Sequence, residues 1–408
     1  MAKQDDLLPV EEAQRRILER FKILEAEEVD LDHALGRVLA AEVTASLPLP
    51  PFANSSMDGF AVVAADTASA SRDNPVSLRV THRILAGSAP GEPIGPSESA
   101  RIMTGAQVPP GADSVVPFEH VEDHGDLITV HRPVEPGACI RLAGQDIRDR
   151  EAALGPGELL GPPQIALLAA LGRPAVPVVR RPDVAILATG DELVPPGTPL
   201  RPGQIYNSNL AMLEAAVAEA GGIGRPIETA RDAPQDVARG LDAARGADLL
   251  ITSGGASVGD LDFVKAAVAD AGELSFWRVR VRPGKPLLFG AVGRTPVIGL
   301  PGNPTSAFAT FELFARPAIR TMLGLPPFRP QIEVVVDETV DNRGGRRTYA
   351  RVRFSYDNGS FHAKLAGPQD SAMLVPLARA DGFLEVPEDR DELRAGDVAR
   401  AHVWRLPA

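Results

Sequence analysis

Asp248-Leu249-Leu250-Ile251-Thr252-Ser253-Gly254-Gly255-Ala256-Ser257-Val258-Gly259-Asp260 begins as an apolar run and ends as a loop of glycines and hydroxyls. A short unbroken apolar run fits a strand buried on both faces. Two other stretches repeat the pattern. Val184–Leu187 enters Thr189-Gly190-Asp191-Glu192-Leu193, and Val297–Leu300 enters Leu300-Pro301-Gly302-Asn303-Pro304-Thr305-Ser306. Helical patterns separate them. Asn207 and Ser208 can cap a helix carrying Leu210, Met212, Leu213 and Val217, and Gly221-Gly222 ends it. Val237 to Ala244, Asp260 to Ala269 and Thr305 to Leu323 also read as helices, and Ile223–Thr229 as a further strand. Strands alternating with helices of this length predict a parallel α/β sheet.

Loops at the carboxyl ends of such strands share one edge of the sheet, where ligands bind. Glycine lets the backbone approach a ligand closely, and helix N-termini favour anions. Gly190, Gly254, Gly255, Gly259, Gly302, Ser253, Ser257, Thr305 and Ser306 therefore predict a ligand that carries phosphate. Neither standard nucleotide motif is present: no Gly-x-Gly-x-x-Gly follows a strand, and Gly284-Lys285 is followed by Pro286. Instead Arg278-Val279-Arg280-Val281-Arg282 alternates strictly and leads into Pro283-Gly284-Lys285-Pro286. In a strand the three arginines share one face, and guanidinium forks suit phosphate-like oxyanions. A mere edge strand would have no need of Pro-Gly-Lys-Pro.

Carboxylates stand beside the same motifs: Asp58, Asp146, Asp191, Glu192, Asp232, Asp260 and Asp262. They would repel an anion unless a hard cation lay between, and Mg²⁺ is commonly held by one or two carboxylates plus substrate phosphates. The histidines lie outside the glycine-rich motifs, so a Ser-His-Asp triad has no visible base. His120 and His124 lie in a strand-and-turn context where metal-ligand spacing does not converge.

Further from the centre, Val10 to Glu25 and Gln164 to Leu171 read as helices. From about Val43 to Pro136, short β-prone runs (Val76–Val80, Val115–Pro117, Leu127–Val130) alternate with turns, which predicts a β-rich insertion. It opens with Pro51-Phe52-Ala53-Asn54-Ser55-Ser56-Met57-Asp58-Gly59-Phe60-Ala61-Val62, an order suited to a sharp turn that aims Asp58 into a cleft. After Pro326 the chain reads β again: Gln331–Glu338, Tyr349–Tyr356, Phe361–Leu365, Gly382–Val386 and Val398–Val403.

At 408 residues, two to four domains are expected. Cys139 is the single cysteine, which excludes an intramolecular disulfide framework and suits a reducing compartment. The N-terminus lacks a signal-peptide core, and the longest apolar stretch is broken by prolines and glycines, so a cytoplasmic protein with no membrane partner is expected. The net charge of −12 argues against a nucleic-acid partner but not against a small anion in a locally positive cleft.

Asn54-Ser55-Ser56-Met57-Asp58-Gly59, Arg101-Ile102-Met103-Thr104-Gly105-Ala106, Gly144-Gln145-Asp146-Ile147, Thr189-Gly190-Asp191-Glu192-Leu193, Ser253-Gly254-Gly255-Ala256-Ser257-Val258-Gly259-Asp260, Arg282-Pro283-Gly284-Lys285-Pro286 and Leu300-Pro301-Gly302-Asn303-Pro304 occur in that order. Together they resemble the MoeA family of molybdopterin molybdenumtransferases, which includes the E domains of gephyrin and of its plant counterpart. The resemblance spans essentially the whole chain. It implies an elongated multidomain subunit of α/β plus β class: a helical connector (1–44 and 147–178), a β-rich insertion domain (45–146), an α/β molybdopterin-binding domain (179–327) and a C-terminal β-barrel-like domain (328–408). It also implies a homodimer.

The implied reaction inserts molybdate into adenylylated molybdopterin, giving molybdenum cofactor and AMP, with Mg²⁺ as cofactor. Asp58, Asp146, Asp232 and Asp262 match the family's functional aspartates, and Glu192 with Asp262 would contact the metal. Thr104, Gly190, Asp191, Ser208, Gly254, Gly255, Ser257, Gly259, Arg278, Arg282, Lys285, Pro301, Gly302, Asn303 and Ser306 would bind substrate. Arg351 and Ser371 match residues proposed to hold molybdate. Relatives commonly carry Gly-Glu-Asp where this chain has Gly144-Gln145-Asp146, and Gln145 is expected only to orient a neighbour. The alternative is a non-catalytic molybdopterin-binding or scaffold module on the same fold. A scaffold would tolerate loss of Asp58, Thr104, Asp232 and Asp262, which are all present.

Overall fold

The structure is a computed structural model that describes residues 7–254 and 263–407. The chain divides into two compact units. One comprises residues 28–35 and 39–177, the other residues 1–27, 36–38 and 178–408. Helix α1 (Val10–Leu18) buries Val10, Ala13 and Ile17. Helical spacing continues in the sequence to Glu25, yet the helix ends at the Glu19 cap. Beyond it the Leu24 N–H bonds to the Met322 carbonyl, so the chain has left the helical path.

The unit built on residues 39–177 contains the β-rich insertion. Strands β1 (Gly59–Val62), β2 (Val76–Ile84), β3 (Glu98–Ile102), β4 (Ser114–Pro117), β5 (Val121–Asp123) and β6 (Leu127–Val130) form one sheet in the order β4-β1-β3-β2-β6-β5. Only β2 and β3 run parallel. Apolar side chains cover both faces, Phe60, Val62 and Leu78 in one cluster and Ala61, Ile84 and Ile102 in another. A Cβ on Gly59 would stand 2.0 Å from the Val116 carbonyl oxygen, so glycine alone allows β1 to pair with β4 directly after Asp58. Helix α2 (Pro162–Ala170) starts two residues before its sequence-expected position, with proline in the first turn where no N–H is needed.

The second unit holds the α/β domain. Its elements are β7 (Asp183–Ala188), α3 (Ser208–Ala220), β8 (Ile223–Pro226), α4 (Pro234–Ala243), β9 (Leu249–Ser253), α5 (Phe263–Ala271), β10 (Gly272–Phe276), β11 (Leu288–Val292) and β12 (Thr295–Leu300). The sheet order is β8-β7-β9-β12-β11-β10. The first four strands are parallel, as the sequence pattern requires. The last two are antiparallel additions that the pattern did not reveal. Asn207 caps α3 by accepting from the Leu210 N–H at 3.1 Å, and Gly221 closes it in the left-handed region at φ 103°. The long helix expected from Thr305 to Leu323 is three helical segments, Pro304–Thr310, a π-helical Phe311–Ala315, and Arg316–Met322. Pro317 supplies no N–H to the preceding turn, and the π segment lies just before it.

Strands β13 (Gln331–Val336), β14 (Arg347–Asp357), β15 (Ser360–Leu365), β16 (Gly382–Val386) and β17 (Val398–Val403) close into a five-stranded barrel, β14-β15-β13-β17-β16 and back to β14. Closure leaves Val334, Val336, Val352, Leu384 and Val386 inside. No helix among the described residues is long and apolar enough to cross a membrane.

Arg329 leads into the barrel and ties back to the α/β domain. It donates to both Glu219 oxygens at 2.8 and 2.6 Å, and to Glu312 at 2.8 Å. The Glu312 and Arg329 side chains are almost wholly buried, whereas Glu219 is half exposed. Breaking a buried pair strands the remaining charge. Arg329→Ala should therefore cost about 3 kcal/mol, read as a lower urea midpoint. Glu219→Gln should cost less than about 1 kcal/mol. Equal losses from both variants would contradict this division of roles.

Candidate functional site

The described parts of the three glycine-rich loops meet. The Thr189 N–H bonds to the Ser253 carbonyl at 3.0 Å, and the Gly254 N–H to the Leu300 carbonyl at 3.3 Å. Asn209, in the first turn of α3, fastens them together. Its amide donates to Ser253 Oγ at 2.9 Å and to the Gly302 carbonyl at 2.7 Å. Sequence reading passed over Asn209, because the signal in that segment was the cap at Asn207. The loops open onto a cleft of about 1090 Å³ whose other wall comes from the barrel.

Gly190, Glu192, Ser208, Asp232 and Gly254 line this cleft. So do Arg282, Lys285, Pro301, Gly302, Asn303 and Ser306, and on the barrel side Arg351 and Ser371. Gly190 has φ 150°, where a side chain would be strained, and a Cβ there would lie 2.5 Å from a Glu192 carboxylate oxygen, so that carboxylate lies against the bare glycine. Asp191 accepts from the Asp232 N–H at 3.3 Å, which fixes the loop that presents Asp232. Gly255, Ser257, Gly259 and Asp262 lie outside the described residues.

The basic row divides. Val279 and Val281 are buried, as the alternation requires. The Arg278 guanidinium sits over the Trp277 ring, 4.0 Å from its centroid, and does not line the cleft. Arg282 and Lys285 do line it, and a third cation joins them from the bend just before β14: Arg346, which sequence reading missed. Among the described residues none of these three side chains has an acceptor or carboxylate partner. The adjacent Arg347, by contrast, bonds to Glu388 and Glu11. Burial, and then the like charge of Arg282, push the Arg346 guanidinium below its ordinary range. Like charges left unpaired near one another are costly, and an oxyanion between them removes that cost.

Arg351 is 1% exposed. It donates to Thr305 Oγ1 at 2.9 Å, the Met373 carbonyl at 3.0 Å, the Pro368 carbonyl at 2.9 Å and Gln369 Oε1 at 3.4 Å. Four of its five N–H groups are thus directed at protein acceptors. Ser371 is engaged as well. Its carbonyl accepts from the Thr305 N–H at 3.1 Å, and its hydroxyl accepts from the Asn303 amide at 2.9 Å. The helix start expected to face an anion is therefore partly capped by the barrel loop.

Asp58, Thr104 and Asp146 belong to the other unit. Asp58 Oδ1 accepts from both the N–H and the hydroxyl of Thr104, each at 2.7 Å, and joins two of the sequence motifs. These two hydrogen bonds hold the exposed Asp58 carboxyl below the usual aspartate range. Asp146 lies with Asn54, Arg141 and Gln145 around a separate hollow of about 530 Å³. Gln145 Oε1 accepts from the Leu142 N–H at 3.0 Å, a turn-holding contact that a glutamate could equally make. The described residues hold one cluster with metal-ligand spacing, Asp30, Asp32 and His33, which is exposed.

Three family descriptions match successive parts of the chain: the MoeA N-terminal region (domains I and II) at residues 8–172, a probable molybdopterin-binding domain at 185–321, and the MoeA C-terminal region (domain IV) at 333–404. The chain is similar to a Mycobacterium tuberculosis protein named molybdopterin molybdenumtransferase 2, at 41% identity over 97% of this chain and 99% of that one. It is 37% identical to the Bacillus subtilis molybdopterin molybdenumtransferase over 93% of this chain and 90% of the relative. The crystal structure of a molybdopterin biosynthesis MoeA protein from Pyrococcus horikosii superposes with a TM-score of 0.84 at 34% identity, covering 98% of this chain and all of that one.

Two outcomes follow from the geometry. Arg346→Gln should weaken binding of sulfate or inorganic phosphate about tenfold, as expected for a charge-assisted contact, measured by calorimetry with the fold checked by circular dichroism. Unchanged affinity would remove Arg346 from the anion site. Thr104→Val should raise the Asp58 pKa toward its ordinary value, read by carboxyl NMR. Because the folded pKa is depressed, the Thr104 contact stabilises the fold above about pH 4. That contribution is lost as pH falls through the lowered pKa.

Proposed function

The chain belongs to the MoeA family, and from that premise we propose that it is a molybdopterin molybdenumtransferase, inserting molybdate into adenylylated molybdopterin to give molybdenum cofactor and AMP. The observation that carries this reading is the cleft in which Arg282, Lys285 and Arg346 converge without acidic partners among the described residues. Molybdate and the substrate's phosphates are oxyanions of the kind such a group of cations holds. Arg282 and Arg346 can offer planar forks, and Lys285 a compact charge. Gly254 and Gly302 let the backbone come close to the substrate, and Asn209 keeps their loops in register. The dithiolene sulfurs that receive molybdenum belong to the substrate, so a single cysteine in the chain is no obstacle.

Mg²⁺ is proposed as cofactor. Glu192 and Asp232 present hard oxygen donors to the same cleft as the cations, a donor set suited to Mg²⁺ shared with substrate phosphates. Glu192, together with Asp262, would hold the ion. Once bound, it would neutralise phosphate charge and polarise the phosphoryl oxygens. The carboxylates of Asp58, Asp146 and Asp232 are proposed to act in the reaction as hydrogen-bond acceptors and charge partners. Thr104 keeps Asp58 ionised for that role. The active form is proposed to be a homodimer in the cytoplasm, which suits a chain with one cysteine.

The test combines purified protein, adenylylated molybdopterin, molybdate and Mg²⁺, and follows AMP release together with reconstitution of an apo-molybdoenzyme. Wild-type protein should turn over, and EDTA should stop it until Mg²⁺ is restored. Asp58→Asn, Asp262→Asn and Arg282→Gln should each depress turnover by about tenfold or more. Full turnover in all three variants would overturn these site assignments, and an inactive wild type would overturn the transferase reading.

A further inference from the structure

Between Glu192 and Asn207 the chain makes an excursion that returns upon itself. Leu193–Val194 and Ile205–Tyr206 pair as a short parallel ribbon. The Ile205 N–H bonds to the Glu192 carbonyl and the Asn207 N–H to the Val194 carbonyl, both at 2.9 Å. The ribbon thus runs directly into the capped start of α3 and is held where it leaves the sheet edge.

Leu193, Ile205 and Tyr206 all line the large cleft. Ile205 is 54% and Tyr206 42% exposed. The chain's other two tyrosines are occupied: Tyr349 packs edge-on against Phe383 and His402, and Tyr356 against Phe361. Among the described residues Tyr206 has neither a ring partner nor a hydrogen bond to its hydroxyl. The rest of the cleft wall mixes glycine, asparagine, serine, proline and charged side chains with Val340, Tyr349 and Leu374 on the barrel side. An aromatic ring anchored by the ribbon, open to the cleft and without a ring partner among the described residues, provides an apolar flat surface. Every heteroaromatic base has a π-face that can stack on such a surface.

We propose that Tyr206 is the stacking platform for a flat heteroaromatic ring of the substrate. This rests on the transferase reading above and adds an orientation to it: phosphate and molybdate oxygens go to the cationic group, and one ring lies on Tyr206. Both rings of adenylylated molybdopterin, the adenine and the pterin, share the chemistry required. Tyr206 is a substrate-binding residue here, and its phenolic hydroxyl is not needed.

The test uses three probes with the full chain: AMP, 6-hydroxymethylpterin, and ribose 5-phosphate as a ringless control. Tyr206→Ala should weaken AMP or 6-hydroxymethylpterin about tenfold, leave ribose 5-phosphate unchanged, and retain the wild-type circular dichroism. Tyr206→Phe should restore the lost affinity. The probe that loses affinity identifies the ring on the platform. The proposal is overturned if Tyr206→Ala binds both ring-bearing probes as wild type does, if wild type binds neither, or if ribose 5-phosphate weakens equally. Its failure is distinguishable from failure of the transferase reading. Active wild-type turnover with no Tyr206 effect removes only the platform. Tyr206-dependent ring binding without turnover removes only the enzyme assignment.

Discussion

The buried guanidinium of Arg351 is the joint on which the cleft depends. A fully desolvated arginine is tolerated only when its N–H groups are met, and here they are met by two different pieces of structure. Thr305, at the start of the helix after β12, comes from the α/β domain; the Met373 and Pro368 carbonyls and Gln369 come from the loop beside the barrel. Gln369 in turn donates to the Arg351 and Gly367 carbonyls, which closes the loop around the arginine. The width of the cleft is consequently set by hydrogen bonds whose loss would leave a charge buried. The α/β loops and the barrel wall therefore behave as one site.

Arginines elsewhere in the same unit show what makes the cleft different. Arg329 holds two glutamates, Arg180 holds Glu25 and Asp248, and Arg347 holds Glu11 and Glu388. The chain has acidic groups to spare, with a net charge of −12. Leaving Arg282, Lys285 and Arg346 without acidic partners among the described residues is thus a matter of placement. Glu192, Asp232, Asp341 and Asp370 line the same cleft, so its fit to an oxyanion rests on where those three cations stand and not on an excess of positive charge.

The motifs that could be read from sequence are the ones whose physics is local. A strand buried on both faces must be apolar, and a sharp exit from it calls for glycine. Hence three of the four parallel strands were legible from Val184–Leu187, Asp248–Ile251 and Val297–Leu300, and the fourth, at the sheet's edge, from Ile223–Thr229. The alternation through Arg282 correctly marked Val279 and Val281 as buried, although only Val281–Arg282 is strand and Arg278, Arg280 and Arg282 are half-buried. It could not separate one arginine from another, because Trp277 lies next to Arg278 in space as well as in sequence and holds its guanidinium on an indole face. Arg346 and Asn209 were not legible for a related reason. Their roles arise from partners roughly 40 to 90 residues away that only the folded topology brings near. Arg351 was matched by resemblance to a ligand-holding role, yet most of its donors go to the protein, a fact that no spacing in the chain encodes.

The protonation state of Asp58 narrows what that residue can do. Two short donations from Thr104 stabilise its charged form and outweigh the desolvation that favours the neutral one. A general acid must carry a proton at the operating pH, which demands a raised pKa. Asp58 has the opposite environment, so in the proposed reaction it would serve as a carboxylate: an acceptor, a base or a partner for a cation. The same reasoning pairs Thr104 with Asp58 in the proposed reaction. Remove the threonine and the carboxylate remains, but the two donors that fix its direction and favour its charge do not. A site that handles an anionic substrate with anionic side chains has to control where each negative charge points, and at Asp58 that control is exercised by one hydroxyl and one backbone N–H.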